Sequence, residues 1–302
     1  MMRVLAVVVL YGKPAGASRT LAGLASAFAA HPALAQQLEI LVWDNSSEAA
    51  QPSLPFAFTY QHPETNEGVS GAYNGAASIA RERGAEWLLL FDDDTSVNAE
   101  FLRGMLREAS QVNADTKIAA VAPFLYAGSF CMSPRLWRFA QHIPLPRPAA
   151  PYTETRAIFA ANSGTLLRVS ALAAIGGYSR RFWLDFSDIE VFHRLHQHGF
   201  AVRIASNLAL EHEMAMLDYD RQMTPARFAT FLAAEGDFMD MYRGPLERGM
   251  HLLRLAARVL HQRSYTDPAF SRLSAAALRE RLTTRRANRL ARHGRSAGAD
   301  CR

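Results

Sequence analysis

The sequence predicts an α/β protein with a mixed, mostly parallel sheet flanked by helices, followed by a helical C-terminal region. Short apolar segments alternate with longer segments of helical periodicity from Val4 to about Leu210, an alternation typical of parallel sheets covered by helices. Two of the apolar segments end directly in aspartates. Beyond Asp218 the chain keeps helical periodicity without a strand pattern, so we expect a separate helical region there.

The first part of the chain provides most of the predicted strands. Val4–Leu10 is continuously apolar and rich in valine, as expected for a strand buried on both faces of a parallel sheet. Ser18 is a candidate cap for a helix over 19–30, and Gly84 is expected to end a later helix. The remaining predicted elements here are strands over 38–43, 56–60, 87–91 and 118–122 and helices over 71–83 and 99–112.

The second part of the chain begins with a segment that is rich in glycine, proline and aromatic residues. This composition predicts a loop-rich insertion over 123–156, inside a sheet domain that spans 1–215. An arginine-rich helical region over 216–302 follows. The predicted elements after the insertion are helices over 169–175, 188–198, 228–242, 251–261 and 274–292 and final strands over 201–204 and 209–210.

Length and composition exclude several classes of protein. A chain of 302 residues, 49% of them apolar, can bury a large core without disulfides, and two cysteines exclude a disulfide scaffold. No apolar run reaches the roughly 18 residues of a spanning helix. The run Val4–Tyr11 is short for a cleaved secretion signal. We therefore expect a cytoplasmic protein, either free or at the inner face of the plasma membrane.

The net charge of +5 conceals an uneven distribution. Residues 241–302 hold 14 arginines and 4 acids, whereas the rest of the chain is net acidic. Three interpretations compete for this basic region: a solvated helical face, a peripheral membrane contact and a nucleic-acid patch. We expect no nucleic-acid partner and hypothesise a weak membrane contact. The arginines at helical spacings are Arg254, Arg258, Arg272, Arg279, Arg281, Arg285, Arg286 and Arg289.

Carboxylates follow two of the predicted strands. Asp44 ends the second strand, and Asp92, Asp93 and Asp94 come directly after the apolar segment 87–91. Parallel sheets bind ligands outside the carboxyl ends of their strands. Three adjacent acids repel one another unless a cation or hydrogen-bond donors neutralise them, and Mg²⁺ or Mn²⁺ bridging a diphosphate is a suitable partner. The alternative is a cap cluster that opens the next helix.

Two further acidic groups are ambiguous from the residues alone. Asp188 stands where a helix begins, close to Trp183, Asp185 and Glu190, so it is either a helix cap or a general base beside a substrate pocket. His212 lies between two glutamates after the last predicted strand. A lone histidine of this kind is more often an ordinary surface or core residue than a metal ligand.

A set of motifs resembles the inverting nucleotide-sugar glycosyltransferases of family 2, which have the GT-A fold, and within them the bacterial rhamnosyltransferase-like group. The motifs occur in the order of that family and span Val4 to His212. They are Val7–Tyr11, Val42–Ser47, the stretch Asn66-Glu-Gly68 to Asn74-Gly75, Leu88–Asp94, Asn162–Arg168, Gly176–Tyr178, Leu184–Glu190, Arg194, Gly199-Phe200 and His212.

The resemblance implies a role for each acidic group, and it makes 1–215 a GT-A catalytic domain. Asp188 would be the catalytic base, and Asp94 and His212 would ligate a divalent cation, Mn²⁺ or Mg²⁺. The residues implied to bind the donor are Tyr11, Asp44, Asn66, Gly68, Asp92 and Asp93, and those implied to line the acceptor are Trp183, Asp185 and Glu190. The donor would be a dTDP- or UDP-linked sugar, rhamnose-like or a hexose. The acceptor would be a glycan or a lipid-linked saccharide of bacterial surface polysaccharide synthesis.

The chain departs from the family pattern at a few positions. Asp93 adds a charge that the family does not usually carry, and Ser187 stands where a glutamate is common. The family's Arg-Asn pair after the histidine is not evident, with Arg227-Phe228 as the nearest candidate. Two other functions stay open from the sequence: a nucleotide-sugar-binding protein without turnover, and a nucleotidyltransferase. The latter usually has a glycine-rich loop after the first strand, which residues 12–16 do not resemble.

Overall fold

The computed structural model describes residues 2–138, 141–211 and 223–291. Within these ranges the chain forms two compact units. We call the first the sheet unit (Met1–Trp137, His142–Ser179 and Ser187–Glu213) and the second the helical unit (Arg138–Gln141, Arg180–Phe186 and Met214–Arg302). The short segment Arg180–Phe186 thus groups with the C-terminal helices. The domain bounds expected from the sequence, 1–215 and 216–302, stay a prediction.

The elements up to residue 211 alternate as the sequence predicts. In chain order they are β1 (Val4–Leu10), α1 (Arg19–Ala30), β2 (Leu38–Asp44), β3 (Thr59–Gln61), α2 (Gly68–Glu82), β4 (Trp87–Asp92), α3 (Ala99–Val112), β5 (Ile118–Ala127), β6 (Phe130–Ser133), β7 (Arg135–Arg138), β8 (Gln141–Pro144), β9 (Tyr152–Glu154), β10 (Ile158–Phe159), β11 (Leu166–Arg168), α4 (Val169–Ala174), α5 (Ser187–Gln197) and β12 (Ala201–Glu211). The helical unit contains α6 (Pro225–Tyr242), α7 (Pro245–His261) and α8 (Ala269–Thr283).

The main sheet is mixed and mostly parallel. Its strand order is β3-β2-β1-β4-β11-β5-β12-β9, and β6 pairs with β5. β1 runs parallel to β2 and β4, and β12 runs parallel to β5. β11 is inserted antiparallel between β4 and β5. The predicted fold class is confirmed.

Helices cover both faces of the sheet because the central strands are apolar on both. Every residue of β1 is buried. Leu5, Val7 and Val9 face one core together with residues of α2, α4 and α5. The alternate residues of β1 face a second core formed with α1 and α3. Alternation along a strand thus assigns successive side chains to opposite layers. Because β1, β2 and β4 run parallel, their carboxyl ends lie at one edge of the sheet.

The structure differs from the sequence prediction in the segment 123–156. β5 continues to Ala127, and β6 to β9 occupy much of the segment expected to be loops. These four strands have three or four residues each, too few for alternation to be recognised. β12 is another difference, because it joins two predicted strands through a register shift between Ala205 and Ala209. α2 begins at Gly68, three residues before the predicted start.

The helical unit has a small apolar core and several acid–arginine pairs. Phe228, Leu232, Leu255 and Phe270 are buried together. The pairs join α6 to its neighbours: Asp237 to Arg181 at 2.8 Å, Glu235 to Arg258 at 2.8 Å, and Asp240 to Arg281 at 3.1 Å and Arg289 at 2.8 Å. Part of the arginine-rich region is therefore bound to carboxylates inside the protein. Across the described residues, no helix combines the length and apolarity needed to cross a membrane.

Candidate functional site

The register of the sheet brings two of the predicted acids to the same edge. β1 lies between β2 and β4. Leu10 at the end of β1 pairs with Asp44, and its neighbour Val9 pairs with Asp92. Adjacent strands lie about 4.8 Å apart, so the two aspartates are separated by roughly two strand spacings. Both acids therefore stand at the carboxyl edge, where a ligand of a parallel sheet binds.

Asp44 is buried and is held by neutral hydrogen-bond donors. The backbone N–H of Ser46 donates to Oδ1 at 3.0 Å, and the hydroxyl of Tyr60 donates to Oδ2 at 2.8 Å. Burial by itself raises the pKa of Asp44, but the hydrogen bonds from Ser46, Tyr60 and the Ala50 backbone outweigh it and hold the pKa below its usual value. Asp44 is thus a buried negative charge at neutral pH.

Three other residues predicted to bind the donor lie around the end of β2 and the end of β1. The side chain of Asn45 donates to the carbonyl of Gly68 at 3.0 Å, and the N–H of Gly68 donates to Oδ1 of Asn66 at 2.8 Å. Gly68 has φ +67°, a backbone conformation that favours glycine. These contacts fix the first turn of α2 beside Asp44, while Tyr11 follows β1 and is 64% exposed.

The turn that carries Asp92, Asp93 and Asp94 is tied to the start of α1. Thr20 Oγ1 donates to the carbonyl of Asp92 at 2.5 Å, and Ser18 Oγ donates to the carbonyl of Asp93 at 2.8 Å. The carboxylate of Asp93 forms a salt bridge with Lys13 at 3.4 Å. The extra charge that the sequence left unexplained is therefore partly neutralised by the loop after β1.

Two buried tyrosines connect the end of β4 with the start of α5. Tyr73 donates its hydroxyl to Oδ1 of Asp92 at 3.2 Å, and its ring lies 5.3 Å from that of Tyr178. Burial raises the pKa of both tyrosines well above the usual value, and the charges of Asp92 and Asp188 raise each of them further. The charges of Asp92 and Asp188, which stand 96 positions apart in the sequence, thus raise the pKa of the same two tyrosines.

Hydrogen bonds continue from this tyrosine pair to the N-terminus of α5. Tyr178 donates to Oδ1 of Asn162 at 2.8 Å, and the amide of Asn162 donates to Ser187 Oγ at 3.1 Å. Asp188 follows directly, and its Oδ1 accepts the N–H of Ile189 at 2.8 Å. The start of α5 is positioned by polar contacts rather than by packing alone.

Glu190 follows Asp188 by two residues in α5 and is buried inside the protein. It is 1% exposed and pairs with Arg194 at 2.6 Å. Arg194 in turn donates to the carbonyls of Ile175 and Gly177. These contacts give Glu190 a structural role in fixing the turn before Tyr178, and its predicted contact with the acceptor stays a prediction.

The other two residues predicted to line the acceptor belong to the helical unit. Trp183 is 39% exposed. The carboxylate of Asp185 pairs with Arg227 and accepts a hydrogen bond from Thr230 at 3.3 Å. Arg227, the candidate that the sequence offered for the missing family arginine, therefore has an acidic partner. Phe186 follows with φ +61°, a strained backbone conformation for a bulky residue. Strained conformations of this kind cluster at functional sites.

The predicted cation site is only partly covered by the described residues. His212 lies outside them, whereas Asp92 ends β4 and Asp94 stands in the turn that follows. Among the residues that the structure describes, no group of three or more histidine, cysteine, aspartate or glutamate side chains is arranged to hold a metal ion. Carboxylate oxygens are nonetheless the ligands that Mg²⁺ and Mn²⁺ prefer, and Mg²⁺ is usually held by one or two carboxylates plus substrate phosphates.

Sequence reasoning missed several residues of this site. Tyr73, Asn162 and Tyr178 link Asp92 to α5, and Thr20 and Lys13 hold the aspartate turn. The first three stand inside stretches that resemble family motifs, so the sequence marked their positions but did not indicate a role for their side chains. Lys13 and Thr20 carried no such signal.

Comparison with known proteins identifies the family. The model of the family described as glycosyl transferase family 2 matches residues 6–176, more than half of the chain. No curated protein matches the sequence.

Solved structures resemble the fold at low sequence identity. S. aureus TarS 1-349 has a TM-score of 0.51 at 13% identity, over 94% of this chain and 92% of that one. GalNAc-T7, solved with UDP, GalNAc and Mn²⁺, has a TM-score of 0.58 at 13% identity, over 94% of this chain and 56% of that one. The mannosyltransferase PcManGT from Pyrobaculum calidifontis, in complex with GDP-Man and Mn²⁺, has a TM-score of 0.54 at 16% identity, over 97% and 84%.

These structural likenesses agree with the mixed, mostly parallel sheet and its flanking helices. The fold is the GT-A fold that the sequence motifs predicted. The chain belongs to glycosyl transferase family 2, and it is a glycosyltransferase.

Proposed function

We propose that the protein transfers a sugar, rhamnose-like or a hexose, from a nucleoside-diphosphate donor to a hydroxyl group with inversion at the anomeric carbon. The acceptor is a glycan or lipid-linked saccharide of bacterial surface polysaccharide synthesis. The observation that carries the proposal is a chain of contacts between the end of β4 and the start of α5. It runs from Asp92 by a hydrogen bond to Tyr73, by a ring contact to Tyr178, and by hydrogen bonds through Asn162 to Ser187. Asp188, the candidate base, follows Ser187 directly, and its charge and that of the donor-side Asp92 raise the pKa of the same two tyrosines.

The donor half of the proposal rests on the carboxyl edge of the sheet. Asp44 is an ionised, buried acceptor that suits the N–H and O–H groups of a nucleoside. Asn66 and Gly68 shape the adjacent turn, and Tyr11 offers an exposed ring at the end of β1. Asp92, which pairs with Val9 of β1 at the same edge, and the adjacent Asp93 are proposed to face the diphosphate.

A divalent cation completes the donor site in this proposal. Asp94, with Asp92 nearby and His212 as predicted partner, would hold it, and structures with the same fold contain Mn²⁺. When bound, the cation neutralises the charge that develops on the departing nucleoside diphosphate. Mn²⁺ and Mg²⁺ both suit a set of carboxylate and phosphate oxygens.

The acceptor half assigns the base to Asp188. The N–H of Ile189 orients its carboxylate, which takes the proton from the attacking hydroxyl. The oxygen then bonds to the anomeric carbon as the bond to the diphosphate breaks, so one displacement inverts that carbon. Trp183 and Asp185 are proposed to contact the acceptor, and Glu190 to support α5 through Arg194.

Release of nucleoside diphosphate from a panel of donors tests the proposal. dTDP-rhamnose, UDP-galactose, UDP-galactofuranose and UDP-glucose are incubated with the protein and alkyl glycosides, with Mn²⁺, Mg²⁺ or a chelator. We expect release from one donor class that the chelator abolishes. Asp188→Asn is expected to lower kcat about 10²–10⁴-fold, the usual contribution of a general base, with unchanged affinity for the nucleoside diphosphate.

The exposed Glu64 provides a matched control, because Glu64→Gln also removes one negative charge from the sheet unit, at a position open to solvent. Its kcat should equal that of the wild type. Release by Asp188→Asn at the wild-type rate contradicts the base assignment. No release from any donor in the presence of either cation contradicts the proposed transfer.

A further inference from the structure

Helix α7 exposes an unusual row of large apolar side chains. Leu246, Leu253 and Leu260 are 70%, 72% and 61% exposed. They are spaced seven residues apart, which is close to two turns of helix, so they lie on one face. Ala257 is also exposed on this face. We call these residues the leucine face.

Ion pairs and two buried residues hold the rest of the same helix against its neighbours. Arg258 pairs with Glu235 of α6 through two hydrogen bonds of 2.8 and 3.0 Å, and Glu247 lies 3.9 Å from Arg243. The two fully buried residues of α7 are His251 and Leu255. α7 therefore uses ion pairs toward its neighbours while it leaves three large leucines toward solvent. A surface helix normally has the opposite arrangement.

An exposed apolar row of this kind indicates a contact surface. Single exposed leucines are common, whereas contiguous apolar patches mark interaction sites. The leucine face extends over most of a 17-residue helix, which is about 25 Å long. Nothing among the described residues covers it, since its leucines keep most of their exposure with the whole chain present.

The charge around the leucine face selects its partner. Arg254 is exposed on α7, and Arg263, Arg272, Arg279 and Arg285 are exposed in the segments that follow. Residues 241–302 have 14 arginines against 4 acids. A second copy would bring the same cations into contact with one another, and one helix face offers less area than the roughly 1,200 Å² that a stable interface buries. An anionic lipid surface complements both the leucines and the arginines.

We propose that the leucine face of α7 is a peripheral membrane-binding surface that docks on anionic lipid, with the leucines in the headgroup–acyl boundary and the neighbouring arginines over the headgroups. The sequence pointed to the whole arginine-rich region, residues 241–302, as the candidate contact. The structure narrows the apolar part of this contact to α7, which carries the exposed leucines, whereas Arg281, Arg286 and Arg289 further along the chain are engaged with Asp240. This surface does not depend on the proposed donor or acceptor.

Vesicle co-sedimentation tests the proposal with the full chain. Wild-type protein is mixed with vesicles of phosphatidylcholine alone and of phosphatidylcholine with phosphatidylglycerol. We expect binding to the mixed vesicles that weakens at high salt, because screening reduces the arginine contribution. The variant Leu246→Gln/Leu253→Gln/Leu260→Gln is expected to lower the partition coefficient at least about tenfold. Leucine and glutamine have similar helix propensities, so α7 should stay folded, which circular dichroism checks.

Two matched substitutions distinguish vesicle binding through the leucine face from binding through any exposed leucine. Leu253→Gln should weaken vesicle binding measurably, whereas Leu282→Gln, which changes a leucine that is 67% exposed on α8, should not. Equal effects of the two substitutions overturn the assignment to α7. Absence of binding to the mixed vesicles overturns the proposal, and so does a dimer in light scattering that the triple variant converts to a monomer.

Discussion

Asp44 in the sheet unit and Asp240 in the helical unit are both buried aspartates, yet they keep their charge in different ways. Asp44 is 3% exposed and accepts hydrogen bonds from a backbone N–H and a tyrosine hydroxyl. Asp240 is 1% exposed and accepts from two guanidinium groups, Arg281 and the bidentate Arg289. The pKa of each carboxyl lies below its usual value.

The cause of the lowered pKa is what distinguishes the two residues. Burial alone would raise the pKa of Asp240, and the hydrogen bonds and charges of Arg289 and Arg281 reverse this effect. Neutral donors do the same for Asp44. Two guanidinium groups offset the negative charge of Asp240, whereas the neutral donors leave the negative charge of Asp44 in place.

The difference separates a structural carboxylate from one available to a ligand. A carboxylate whose charge is cancelled by arginines has its binding capacity occupied inside the protein, and its removal leaves buried cations. One held by neutral donors is oriented but still attracts donors and cations. We therefore expect substitution of Asp240 to affect stability first and substitution of Asp44 to affect donor binding first.

The largest effect is expected for Asp240→Asn. This change leaves the buried guanidinium groups of Arg281 and Arg289 without their counter-charge, and breaking a buried pair typically costs about 3–5 kcal/mol. The free energy of unfolding, measured by denaturant titration, should fall by that amount. Affinity for nucleoside diphosphate should be unchanged wherever the protein is folded, and the charge-matched Glu64→Gln should leave both quantities as in the wild type.

A smaller effect is expected from His251 on acidification. Burial lowers the pKa of His251 to about 4 from its ordinary 6.5; Glu235 opposes the shift, and Arg281, Arg254 and Arg258 add to it. The folded protein therefore keeps this side chain neutral while the unfolded chain takes up a proton below pH 6.5. Stability is full above that pH and is lost as the pH falls toward 4, by about 3 kcal/mol at most.

Thermal unfolding between pH 7 and pH 4 measures the contribution of His251. His251→Gln should flatten the dependence of Tm on pH over this range, whereas His261→Gln, an exposed histidine on the same helix, should leave it as in the wild type. A wild-type slope in His251→Gln would mean that the acid sensitivity comes from other groups.

Much of the fold could be predicted because the central strands are both buried and continuous in sequence. Val4–Leu10 is apolar throughout, as is β4 up to its final Asp92, and Gly84, with φ +68°, ends the preceding helix as expected. The short strands after β5 could not be predicted. Their residues pair with partners distant in sequence, as Ile158 does with Leu136, and such pairing depends on the tertiary fold rather than on local pattern.

The positions of the acids in the candidate site could be predicted from the sequence, but the side chains that pair with those acids could not. Asp44 and Asp92 follow apolar strands, so their position at the carboxyl edge follows from the pattern. The salt bridge between Lys13 and Asp93 is different, because it depends on how two loops approach one another. The pairing of Arg227 with Asp185 likewise became visible only once α6 was in place. The local sequence predicts where a strand ends, whereas the pairing of charged side chains depends on contacts between segments that are distant in sequence.

The smallest effect, and the most direct test of the comparison, is expected at Asp44. Asp44→Asn keeps one oxygen acceptor for the N–H of Ser46, and its NH2 group donates to the hydroxyl of Tyr60 in place of accepting from it, so the fold should be retained. The charge is lost, so affinity for nucleoside diphosphate should fall about tenfold, the value of one hydrogen bond to a charged group. Tyr60→Phe removes a donor from the ionised carboxylate and should move its pKa up toward the usual value. Calorimetric titration from about pH 6 down to about pH 3, which spans the usual carboxyl pKa near 4, should then show affinity declining at a higher pH in Tyr60→Phe than in the wild type. If Asp44→Asn instead destabilised the protein as much as Asp240→Asn while leaving affinity intact, the charge of Asp44 would serve the fold, and the distinction drawn between the two aspartates would be wrong.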